Sequence, residues 1–290
     1  MSFLPVHPNP KKPDFVLPAN ACDAHCHVFG PEDRFPYAPE SKYRPIDAPK
    51  EKLFALHRHL GFDRSVLVQA SCHGTDNRAM IDMLEHGEGR YRGVAVVGED
   101  ITNAEIEQMH RAGVRGIRFN FVKRLVDTKP HDVYRRIADL VAPYGWHIIV
   151  YFESPELSDI EDLLMGLPTP IAIDHMARPA VEKGLDDADF LRICDLVASR
   201  PDTWVKVGCL ERLTRQGPPY LDAVPFARHF VENFSDRVLW GTDWPHPNMK
   251  SHMPDDGALV DSIPLIAPTA ELQQKLLVDN PARLYDFDTP

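Results

Sequence analysis

Eight short runs of β-branched, aliphatic and aromatic residues alternate along the chain with stretches of helical spacing, and this alternation constrains the fold more than any other feature. The runs cover residues 22–28, 65–71, 91–97, 116–121, 147–152, 170–175, 204–208 and 238–243. They are apolar at consecutive rather than alternate positions, as expected of parallel strands buried on both faces. Helical spacing occupies 48–60, 77–86, 102–112, 132–144, 158–164, 188–199 and 220–233. Thr102 with Glu105 and Ser158 with Glu161 fit capping boxes, and Gly61, Gly87, Gly113, Gly145 and Gly166 follow helical runs as left-handed stops. Eight alternations predict a single (β/α)8 TIM barrel over residues 21–290, preceded by an N-terminal extension over 1–20. An open doubly wound sheet would need a Gly-rich phosphate turn after its first strand, and HVFGPEDRFPYAPE at 27–40 offers none. The segment 29–47 reads instead as a long active-site loop.

Composition narrows the partners. With 43 acidic against 32 basic residues the net charge is −11, so no global positive field draws in nucleic acid or an anionic membrane. The paired-Cys zinc signature of nucleic-acid deaminases is also missing. Five scattered cysteines, at 22, 26, 72, 194 and 209, suit a reducing compartment, and residues 1–20 are broken by prolines where a secretory signal would be continuously apolar. A cytoplasmic protein acting on a small molecule is expected, its oligomeric state left open.

In a closed barrel the chemistry gathers at the C-terminal ends of the strands. Those ends carry His25 and His27, Ser71, Arg118 followed by Arg124, Tyr151, His175, Arg212 and Asp243. The two-residue spacing of His25 and His27 puts both imidazoles on one face of a strand, here the barrel interior. His73, His246 and His252 fall near loops and read as structural or solvated.

With HCH on the first strand, DH on the sixth, GTDWPHP on the eighth and DNPARLY near the end, the chain resembles the amidohydrolase superfamily over residues 21–287. Its metal-dependent members hold one or two divalent ions with the first-strand histidines, a carboxylated Lys or Glu on strand four, a His on strand five and an Asp on strand eight. Here Arg118 and Tyr151 stand at the strand-four and strand-five positions. A guanidinium has no lone pair and repels a dication, so the resemblance implies a metal-independent site with no cofactor. Zinc is the alternative, since His25, His27, His175 and Asp243 count to a tetrahedral set.

Within the superfamily the residue pattern is similar to the 2-pyrone-4,6-dicarboxylate lactonase family of bacterial lignin-derived aromatic catabolism. That likeness implies reversible hydrolysis of a dicarboxylated pyrone to 4-carboxy-2-hydroxymuconate. It implies substrate binding by Tyr43, Ser71, Arg118, Arg124, Tyr151 and Arg212, with Asp243 as general base and His25, His27 and His175 polarising the lactone carbonyl. A dianionic ring needs bidentate cations to fix its orientation, which the arginines would supply. Two rivals stay open: a zinc-dependent relative acting on a sulfomuconolactone or as a decarboxylase, and a barrel that only binds an aromatic dicarboxylate.

Overall fold

The computed structural model describes residues 4–249 and 252–288. Eight parallel strands stand in chain order: β1 (Cys22–Cys26), β2 (Arg64–Val68), β3 (Tyr91–Ala95), β4 (Val114–Asn120), β5 (His147–Tyr151), β6 (Ile171–Ile173), β7 (Thr203–Lys206) and β8 (Val238–Leu239). The strip after β8 closes the barrel onto β1: Ala24 N donates to Trp240 O at 2.9 Å and Asp243 N to His25 O at 2.8 Å. Gly241 permits that closure, because a Cβ there would meet His25 N at 2.4 Å.

Seven helices follow the first seven strands: α1 (Lys50–Leu60), α2 (Arg78–Glu85), α3 (Asn103–Arg111), α4 (His131–Val141), α5 (Leu157–Met165), α6 (Ala188–Ser199) and α7 (Val224–Asn233). The capping box of Thr102 and Glu105 forms as expected. The one expected at Ser158 does not. A Pro-led 3-10 turn at Ser154–Glu156 starts that helix earlier, so the box is made by Glu153 and Glu156 and Ser158 lies inside the helix. Gly61, Gly113 and Gly145 take positive φ, whereas Gly166 has φ −92° and the helix before Gly87 ends on His86. Strand eight is shorter than its apolar run, covering Val238–Leu239, and the chain turns at Asp243, whose φ is +61°.

Two cores result. Outward-facing strand residues such as Val114, Ile117, Ile148 and Val205 pack under the helices, while Cys22, Ala24, Val66, Val94, Ile149, Ala172, Trp204 and Leu239 fill the barrel. Tyr285 and Phe287, from and just after the C-terminal helix Asn280–Tyr285, plug its lower end. β1 carries an irregularity the two-residue period does not foresee. Ala24 and His25 both serve the interior because the register with β2 shifts between Asp23 and Cys26, a bulge that inverts the inside–outside phase. Asp23 secures the bulge, accepting from His25 N at 3.2 Å and from Thr242 N and Oγ1 at 3.0 and 2.7 Å.

The segment before β1 is tied down at the helix Asp256–Asp261: Lys11 N donates to Asp255 Oδ1 at 2.9 Å and Asp14 N to Asp261 Oδ1 at 2.7 Å. Among the described residues no helix is long and apolar enough to cross a membrane, and all five cysteines are free.

Candidate active site

Going up the barrel interior, the apolar layer gives way to a charged one: Arg118 from β4, Asp174 just past β6, Lys206 from β7 and His25 from β1, all buried at the side chain. Arg118 donates to Asp174 Oδ2 from Nε at 3.0 Å and Nη2 at 2.7 Å. Lys206 Nζ lies 3.4 Å from Asp174 Oδ1 and 2.9 Å from His25 Nδ1. Burial pushes the Asp174 pKa up, but the positive charges packed against it, Arg118 and Lys206, outweigh burial and hold this carboxyl well below the usual range.

Above this layer the Nε2 atoms of three imidazoles converge on one carboxylate oxygen. Asp243 Oδ1 is 3.1 Å from His27, 3.5 Å from His25 and 3.9 Å from His175. His27 is oriented by donating from Nδ1 to Val68 O at 2.6 Å. His175 is aimed by backbone strain, standing first in a run of four residues (His175, Met176, Ala177, Arg178) with φ between 51° and 55°. Such a left-handed turn costs roughly 1–2 kcal/mol per non-Gly residue, and it reverses the chain directly after β6 to bring the imidazole inward. Burial lowers His175 to about 4, and burial followed by Lys206 holds His25 well below the ordinary histidine range, so both are neutral at physiological pH.

The other oxygen of Asp243 faces Arg212, which donates from Nε at 2.7 Å and stands 2.6 Å away at Nη2. Burial alone would raise Asp243; Arg212 and the His27 contact reverse this and keep the carboxyl well below the usual range. Asp243 is therefore an ionised carboxylate whose basicity Arg212 weakens.

Eight of the ten expected site residues, His27, Tyr43, Ser71, Arg118, Tyr151, His175, Arg212 and Asp243, line one narrow cleft at the C-terminal mouth of the barrel. Ser71 Oγ donates to Tyr43 Oη at 3.5 Å, and the Arg118 guanidinium lies 4.9 Å from the centre of the Tyr151 ring. His25 sits beneath, its ring 4.7 Å from that of His175. Arg124 is not brought into the cleft: half-exposed on the rim, it pairs with Glu153 at 2.8 Å. Each expected arginine thus already has a carboxylate partner, which isolated positions in a sequence do not reveal. Among the described residues Arg118 and Arg212 bond through Nε and Nη2, leaving Nη1 for a ligand.

Lys206 was absent from the expected site. Its signal was a lysine inside WVKVG, an otherwise apolar strand, where only a paired ammonium is tolerated. Asp174 was visible in the DH motif without an evident partner. His73 and His246 are buried and structural: His73 Nε2 accepts from Gly30 N at 3.3 Å to brace the 29–47 loop, and His246 Nε2 is 3.0 Å from Asp256.

His25, His175 and Asp243 stand close enough for one metal ion to touch all three. The charges around them do not fit a dication. Arg118, Arg212 and Lys206 bring three cations among the carboxylates Asp174 and Asp243 and the buried Glu211, whose pKa burial raises, and Asp243 already spends one oxygen on Arg212.

An amidohydrolase family model matches residues 22–287. A 2-pyrone-4,6-dicarboxylate hydrolase of Comamonas testosteroni is 57% identical, the match covering 98% of this chain and 95% of the relative. A 4-sulfomuconolactone hydrolase of Hydrogenophaga intermedia is 36% identical over 96% of this chain and 92% of its own. A solved structure from Pseudomonas putida, provisionally assigned as a 2-pyrone-4,6-dicarboxylic acid hydrolase, superposes with a TM-score of 0.82 at 31% identity, covering 94% of this chain and all of that one.

Proposed function

Because the chain belongs to the amidohydrolase family, we propose that it is a lactonase opening 2-pyrone-4,6-dicarboxylate to the ring-opened tricarboxylate, and that it does so without a metal. The observation that carries the mechanism is the ionised Asp243 at the focus of three imidazole Nε2 atoms, flanked by guanidinium groups with N–H bonds to spare. The Comamonas testosteroni relative supplies the substrate, and a dicarboxylated pyrone suits a cleft floored by Arg118 and walled by Arg212, Tyr43, Ser71 and Tyr151.

The steps follow from the groups present. A substrate carboxylate drawing on Arg212 weakens the pair that keeps Asp243 acidic, so binding itself strengthens the base. Asp243 takes a proton from water as the water oxygen attacks the lactone carbonyl carbon. Imidazole N–H groups receive the oxyanion, each well-placed donor contributing about 2.7–4 kcal/mol. The ring C–O bond then breaks, and the proton held by Asp243 passes to the departing enolate oxygen. Ring opening creates a further carboxylic acid, whose ionisation pulls the equilibrium toward hydrolysis in alkali and lets acid drive ring closure.

Incubation of the purified chain with the pyrone diacid, followed by loss of the pyrone absorbance, tests this reading. Turnover at alkaline pH with re-closure in acid is expected; no turnover, with tight binding retained, would leave a dicarboxylate-binding barrel. Preferential turnover of a sulfomuconolactone would place the chain with its 36% identical relative instead.

A further inference from the structure

Deepening the lactonase reading, on which it rests for its kinetic arm, we propose that Lys206 is a positioning residue: its ammonium donates to His25 Nδ1 and thereby fixes the His25 proton on Nε2, the nitrogen on the Asp243 side of the ring. A neutral imidazole has one proton for two nitrogens. Nδ1 of His25 stands 2.9 Å from Lys206 Nζ and 3.2 Å from Asp174 Oδ1. An ammonium can only donate, so a proton on Nδ1 would set donor against donor at the shorter contact. With Lys206 donating, Nδ1 is an acceptor and the proton goes to Nε2.

The far side of the ring agrees. Nε2 of His25 is buried without a hydrogen-bond partner among the described residues, 3.5 Å from Oδ1 of Asp243, which itself lines the cleft. A proton there is a donor held ready for an oxyanion, whereas a lone pair there would repel it. Asp174 holds Lys206 in place at 3.4 Å, and Arg118 holds Asp174, so the tautomer of His25 is set by a chain running from β4 through β6 to β7. The same proton takes from His25 the lone pair with which Nε2 would bind a metal.

The test is ring-nitrogen NMR of the full chain labelled with 15N-histidine, His25 being assigned from the signals lost in His25→Gln. The wild type is expected to show a protonated Nε2 and an unprotonated Nδ1. Lys206→Met frees Nδ1 to donate to Asp174, so the two signals should exchange character and kcat should fall about 100- to 1,000-fold with KM within about threefold. A wild-type His25 protonated at Nδ1 overturns the proposal. So does a Lys206→Met protein whose His25 keeps its tautomer, whatever happens to kcat. If Lys206→Met does not fold, the wild-type spectrum alone decides. A wild type that fails to open the pyrone refutes the lactonase reading and leaves the tautomer to the spectrum.

Discussion

Replacing Asp243 by asparagine separates the base from everything else the residue does. The amide is nearly isosteric, its oxygen can still accept from Arg212, and its nitrogen cannot take a proton from water. Loss of a positioned general base costs roughly 100- to 10,000-fold in rate, or about 3–5 kcal/mol at 1.36 kcal/mol per decade. Binding should move the other way. Arg212 now donates from Nε to Asp243 Oδ2 at 2.7 Å with Nη2 2.6 Å from the same oxygen; without that carboxylate charge it is freer to hold the substrate, so the dissociation constant should stay level or fall. Stability also suffers, because a buried guanidinium loses its counter-charge; the upper bound is the 3–5 kcal/mol of breaking a buried pair, lowered by the bond the amide keeps. Continuous absorbance at saturating pyrone diacid gives kcat, calorimetry gives affinity, and urea unfolding gives stability. A variant that binds normally and turns over within tenfold of wild type would refute the assignment and require a base elsewhere.

Three further outcomes follow from the same geometry. Arg124→Met, which removes a half-exposed rim residue, should raise KM less than roughly tenfold with kcat unchanged, whereas Arg118→Met should lose most activity; an unchanged KM would remove Arg124 from substrate binding altogether. His175 is held at about 4 by burial, below its unfolded value of 6.5, so the unfolded chain takes up a proton that the folded chain refuses. Its share of stability, roughly 3 kcal/mol at 1.36 kcal/mol per pH unit, is present above pH 6.5 and lost as pH falls toward 4, and Asp174 and Asp243 add to the loss below the ordinary carboxylate range. Urea midpoints that stay flat between pH 7 and 4 would contradict this. Ala177→Gly, at φ +55°, should be neutral or stabilising by up to about 1–2 kcal/mol in thermal or urea unfolding, against the usual penalty for this substitution; a clear loss would show that the left-handed turn is unstrained.

Much of the fold was legible because buried parallel strands and capped helices leave strong local patterns. Strand order and the cleft position followed from counting alternations, and seven of the eight cleft residues from reading what stands where strands end; Tyr43, in the 29–47 loop, came only from the family resemblance. Non-local geometry accounts for the rest. The bulge in β1 depends on register with β2 and on Asp23 reaching Thr242, contacts that join distant parts of the chain. Ser158 carried a cap signature overridden by the Pro155 turn just before it. Arg118, Arg124 and Arg212 could be read as cations available to a ligand, but their partners Asp174, Glu153 and Asp243 lie 56, 29 and 31 positions away. Lys206 was the plainest signal passed over: a lysine in a strand buried on both faces announces a partner without naming it.

In the proposed metal-free reaction, fixed protein cations and imidazole protons do the work of a dication. The most direct test measures metal content and kcat on one preparation, before and after exhaustive chelation. Metal far below one equivalent with undiminished turnover of the pyrone diacid is the predicted result. One bound zinc per chain, with activity lost on its removal and restored on its return, would contradict the account.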